Sequence, residues 1–203
     1  MKPNPDQLGF GALLRDTEEA NEKRIRDREA GHLPGEMNKA IALFRKLLQA
    51  YHRAVMAGDR NEIERIDEEA DRLAYKVEGS CAILANDNSA GNVFKRRTRA
   101  RKGTVPTWGQ AGEFEVNVNG VRVAIEWDGL FGIGSPGFAA HVVEPDKPFI
   151  SHTGFRSFLG GSYRFATMGG GQTVDQFVIA EIEQHIATNL KGKLVAVAKE
   201  YRK

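Results

Sequence analysis

The sequence predicts an α+β fold, an N-terminal antiparallel helical hairpin followed by a small antiparallel β-sheet packed by a C-terminal helix. Three observations carry this. Apolar residues recur at steps of 3 and 4 across residues 34–79, alternate about an Asn-Gly turn across 114–127, and follow a capping box at Thr173. On this reading the 203 residues divide into a polar arm or exposed helix (1–31), a helical hairpin (34–79), a basic linker (80–106) and an α+β domain (107–203).

The first 31 residues have helical composition but few apolar anchors, so little burial would offset their ordering entropy. The hairpin is better marked. Met37, Ile41, Phe44, Leu48, Tyr51 and Val55 form one helical stripe, and Gly58 breaks it. Asp59, with Glu62 three residues on, can cap a second helix whose stripe is Ile63, Ile66, Ala70, Leu73 and Val77, ending at Gly79. Two such helices joined by a short turn pack antiparallel.

Residues 80–106 mix turn formers with basic side chains and end at Pro106, which reads as a linker or long surface loop with a short ordered piece at Ala82–Ala85. The hairpin after it is specified twice, by alternation and by the turn at Asn119-Gly120. That turn pairs Val118 with Val121, Val116 with Val123 and Phe114 with Ile125 on one face, leaving Glu115, Asn117 and Arg122 on the other. Phe138–Val143 is a third strand, with a further one at Phe149–Ser151 or Phe155–Leu159. Thr173 and Gln176 open a helix to about Leu190 that buries Val174, Phe177, Val178, Ile182 and Ile186, and Leu194–Tyr201 forms a short terminal helix.

Composition limits the function classes. Hydrophobic residues make up 41% and charged residues 28%, with a net charge of +2, which excludes a histone-like polycation and a polyacidic DNA mimic. No apolar run approaches the roughly 20 residues of a membrane span, and the N-terminus lacks a secretory h-region. One cysteine, Cys81, rules out an internal disulfide framework. The expectation is a soluble cytoplasmic protein without a cofactor or membrane contact.

The sharpest chemical feature is Lys95-Arg96-Arg97-Thr98-Arg99-Ala100-Arg101-Lys102, six cations in eight residues. The chain before it carries net −3 and the chain after it net −1, so this strip supplies the whole positive balance. Arginine forks suit phosphate oxygens, and counterion release favours binding. If Lys95, Arg96, Arg97, Arg99, Arg101 and Lys102 all met duplex phosphates, log affinity against log salt would slope at about −5. The competing reading is a solvated linker. No helix-turn-helix, zinc-finger or RNP signature accompanies the strip, so sequence-specific reading is not expected.

Other features are weaker. Met168–Thr173 could form an anion-binding turn, but no P-loop lysine follows and an ordinary cap explains it. The five histidines, His32, His52, His141, His152 and His185, make no metal-site spacing. An enzyme would need Asp128, His141 and His152 to converge. Leu130, Phe131, Ile133 and Phe138 offer a protein-docking surface if exposed, and close the end of the sheet if folded back. A third reading is a purely structural protein, with the helical hairpin as a dimer interface.

The block KPFISHTGFRSFLGG, with the preceding β-hairpin and the following TVDQFVIAEI helix, resembles accessory proteins of proteobacterial plasmids and integrative elements. The likeness covers residues 104–190 and is strongest over Lys147–Gly160. It carries over no catalytic residue. It implies a mobile-element setting, in which small proteins without enzyme motifs are often inhibitors of restriction or CRISPR machinery. The resulting expectation is a non-enzymatic binding protein, an anti-defence factor engaging nucleic acid or a ribonucleoprotein complex through the basic segment, with a protein partner at the α+β domain.

Overall fold

A computed structural model describes residues 5–131, 137–159 and 171–202. Helix α1 (Pro5–Glu29) is the exposed helix of the two alternatives for the N-terminal arm. Its end is tied down where Ala30 and Leu33 are buried and the Tyr75 hydroxyl donates to Asp27 Oδ1 at 2.9 Å. Hydrogen bonds from Lys23 and then Tyr75 hold the Asp27 carboxyl below its usual range.

The hairpin consists of α2 (Met37–Ala57) and α3 (Arg60–Glu78). Gly58 takes the left-handed conformation that ends α2, and the Asp59 side chain accepts from the Glu62 amide at 3.1 Å to start α3. The anticipated stripes face each other: Ile41, Phe44, Leu48, Tyr51 and Val55 of α2 are buried, as are Ile63, Ile66, Ala70 and Leu73 of α3.

The segment expected to be a linker is ordered against the core. Within it lies α4 (Ala90–Thr98), which packs on both α2 and α3. Phe94 has no solvent exposure, and its ring stacks on Phe44 at 5.1 Å and lies 6.3 Å from Phe131. Propensity gave no warning, because a nine-residue helix is held by tertiary contacts rather than by its own cooperativity. Glu78 at the end of α3 accepts from the Ala90 amide at 2.7 Å, placing a carboxylate at the N-terminus of α4.

The sheet is antiparallel in the order β1 (Gly112–Val118), β2 (Val121–Trp127), β3 (Gly137–Val142), β4 (Phe155–Leu159). Phe114↔Ile125, Val116↔Val123 and Val118↔Val121 are the observed pairs. Asn119 and Gly120 both have positive φ, as the two-residue turn requires. Helix α5 (Val174–Thr188) opens with the Thr173–Gln176 capping box, packs on β1 and buries Phe177, Val178, Ile182 and Ile186. Trp127, Phe138, Phe177 and Trp108 meet edge-on or stacked at 5.6–6.5 Å, and the buried residues of helices and sheet form one continuous core.

One further expectation is corrected. Leu194–Tyr201 is not an α-helix: Val195 pairs with Phe149 in an antiparallel bridge, and only Lys199–Tyr201 forms a 3₁₀ turn. The bridge wins because it satisfies the backbone of both residues at 2.7 and 2.9 Å beside the fully buried Phe149. Of the two alternatives for the apolar stretch, Phe131 and Phe138, 7% and 3% exposed, take the folded-back one. They fold back because each finds aromatic partners, Phe131 on Phe44 at 5.3 Å and Phe138 on Phe158 at 4.5 Å. Leu130 packs partly buried beside them, and Ile133 lies outside the described residues.

Candidate nucleic-acid interface

The basic strip is built into the fold in two pieces. Lys95, Arg96 and Arg97 occupy the last turn of α4, where cations also offset the negative end of the helix dipole. The chain turns extended at Arg99, and residues 100–103 then run along the edge of β1, with the Ala100 and Gly103 amides donating to the Ala111 and Glu113 carbonyls at 2.8 Å each. The strip therefore covers a sheet edge that would otherwise be open on that side.

This placement divides the six cations. Lys95 donates to Asp128 Oδ1 at 2.7 Å, and its side chain is only 25% exposed, so it joins α4 to the end of β2 and is the least accessible cation of the pairs in the strip. The Arg96 guanidinium bonds the Asp87 carbonyl at 2.8 Å. Arg99 and Lys102 share Glu113, at 2.6 and 3.6 Å. The exposed Arg97 and Arg101 side chains make no ion pair among the described residues. Six cations facing two carboxylates, Asp128 and Glu113, leave a local excess of +4.

The fold adds a residue that the linear run does not contain. Arg45 of α2 reaches the C-terminal end of α4, where its Nη2 bonds the Arg97 carbonyl at 3.4 Å. Arg45, Arg97 and Arg99, with Gln49, Thr107 and Gln110, line an open depression of about 420 Å³ that no carboxylate enters. Helix-by-helix charge would have pointed to α2, which carries Lys39, Arg45, Lys46 and Arg53 and no acidic residue. Helix α3 carries seven carboxylates against four cations, and Arg60, Arg65 and Arg72 are engaged with glutamates on the same helix. The hairpin is thus polarised, basic on one helix and acidic on the other.

The remaining candidates do not gather into a site. Asp128 follows β2, four residues beyond Ala124, the cross-strand partner of His141. That offset separates the two by roughly 13 Å at about 3.3 Å per residue, and Asp128 is committed to Lys95. His141 lies on the open face of the sheet against Phe155 at 5.0 Å, while the His152 carbonyl accepts from the Ala198 amide at the C-terminal segment. No group of three metal-ligating side chains comes together among the described residues. His185 is buried, and burial with nearby Arg156 pushes its pKa down, which favours the neutral ring. Of the glycine-rich turn only Gly171–Thr173 is described, and Thr173 there is an ordinary helix cap. No helix among the described residues is long and apolar enough to cross a membrane.

Three residues of the motif Lys147–Gly160 are held by packing. Phe149 and Ile150 are buried, and Gly154 has φ +72° with Val142 Cγ1 only 2.8 Å from where a Cβ would stand. Glycine is required there both by backbone conformation and by close approach.

No solved structure matches the chain. Two Escherichia coli proteins named Protein KlcB are similar to it. One is 31% identical over 175 residues, covering 84% of this chain and 41% of that protein. The other is 31% identical over 184 residues, covering 86% and 39%. The chain thus spans about two fifths of the length of the curated relatives it matches. Residues 111–190, from the start of the sheet to just past α5, match the family model described as the KlcB third domain, and it is to KlcB that this chain is similar.

Proposed function

We propose that this chain is a non-enzymatic, KlcB-like accessory protein of a mobile genetic element that binds nucleic acid, free or within a nucleoprotein complex. The surface responsible is made by the basic helix α2 and the strip ending at Lys102. The supporting observation is the segregation of charge. Three of the four cations on α3, Arg60, Arg65 and Arg72, are paired with glutamates of their own helix, whereas Arg45, Arg97 and Arg101 lie exposed on neighbouring elements without an ion pair among the described residues. Such a surface tracks a phosphate backbone without reading bases. In its anti-defence form the target is a restriction or CRISPR nucleoprotein, a choice supported by the mobile-element resemblance.

The test is the salt dependence of binding to a short fluorescent duplex, followed by anisotropy. With Arg45, Arg97, Arg99 and Arg101 contacting phosphates, log affinity should fall against log salt with a slope of about −3.6. Absence of binding at low salt overturns the reading. Affinity purification from a native host with and without nuclease then separates the two settings. Partners lost on nuclease treatment are bridged by nucleic acid, and partners retained are bound as protein.

A further inference from the structure

We infer that Arg45, Arg97 and Arg99 form a discrete site for one phosphodiester group of a nucleic-acid backbone, rather than three points in a diffuse basic patch. This rests on the nucleic-acid reading above and deepens it to a geometry.

Three features favour a formed site. First, the arginines come from two elements, α2 and the end of α4, and converge on one depression of about 420 Å³. Second, two of the last four carbonyls of α4 are already engaged: Arg45 donates to the Arg97 carbonyl at 3.4 Å and Gln110 Nε2 to the Thr98 carbonyl at 2.8 Å. Third, apart from the arginines and Leu48, the walls are the neutral hydrogen-bonding residues Gln49, Thr98, Thr107 and Gln110. Gln110 is fixed by the Thr107 amide and hydroxyl, which donate to its Oε1 at 3.2 and 3.3 Å. Arg45 and Arg99 each spend one donor on the protein, which leaves most of each five-donor guanidinium for a ligand. A tetrahedral phosphate accepting from two or three planar forks matches that donor set.

The geometry is tested by a substitution that keeps charge and removes the fork. Arg45→Lys should weaken binding to short fluorescent DNA and RNA duplexes about tenfold at fixed salt, the scale of a lost charge-assisted hydrogen bond. Arg60→Lys, on the acidic helix α3 where the side chain pairs with Glu64 at 3.3 Å, should leave affinity within about twofold. Arg45 is exposed, and an unchanged thermal transition in the Arg45→Lys chain confirms that only the surface was altered. If the natural chain binds and Arg45→Lys binds equally well, the discrete site is refuted while the nucleic-acid reading survives. If the natural chain binds neither duplex, that reading falls as well. Equal loss on DNA and RNA supports a site for the phosphodiester itself, and loss on neither refutes it.

Discussion

Replacing Phe94 by alanine asks whether the basic strip hangs from a linker or from the core. The Phe94 ring is fully buried between α2 and the loop that carries Phe131, with centroids 5.1 Å from Phe44 and 6.3 Å from Phe131. Truncation returns roughly 120 Å² of apolar surface to the solvent account, about 3 kcal/mol at 25 cal/mol per Å². A ring-sized void that closes only in part adds about 1–2 kcal/mol. Nothing polar is orphaned, so the expected loss is about 4 kcal/mol, a fall in the midpoint temperature of roughly 8–16 °C for a chain of this size. Thermal unfolding followed by circular dichroism reads it, and urea titration gives the same difference at constant slope if the transition is two-state. A loss below about 0.5 kcal/mol, the range of a surface substitution, would refute the packing of α4 and return the strip to a linker. The variant should also weaken duplex binding, because Arg97 and Arg99 lose the rigid turn that aims them toward Arg45.

Two further outcomes are expected. Burial first, and then Asp71 and Glu64, push the Asp67 carboxyl up to about 7. A carboxyl whose folded pKa is raised favours the folded state only while protonated, so its contribution is lost as pH rises from about 4 to about 7. The ceiling for that gap is about 4 kcal/mol, and partial solvent contact reduces it to about 1–2 kcal/mol. Asp67→Asn should therefore stabilise the chain at pH 8 and leave it unchanged near pH 4, and equal effects at both values in thermal melts would contradict this. Glu113 holds both Arg99 and Lys102, so Glu113→Gln should tighten duplex binding about two- to threefold at low salt, an effect that fades as salt screens it. A variant that binds more weakly would mean that Glu113 positions Arg99 rather than competing for it.

Much of the fold is legible in local chemistry. The two facing stripes, the Asp59 and Thr173 caps and the Asn119-Gly120 turn each rest on neighbours a few residues apart, and the observed strand register agrees pair by pair. Helix α4 was hidden because its helicity depends on Glu78, Phe44 and Phe131, none of them local to it. The C-terminal segment misled for a related reason: its amphipathic pattern suits a helix, but the free backbone of Phe149 offered Val195 a better partner.

The sequence by itself determined where the positive charge is concentrated, because net charge by segment needs no coordinates. It could not determine which of those cations are available. Tertiary structure decided that, since availability depends on partners distant in the chain: Asp128 takes Lys95, Glu113 takes part of Arg99 and Lys102, and α2 contributes Arg45 from fifty residues upstream of the strip's first residue. Charge is a property of each residue, whereas a binding site is a property of the distances between them.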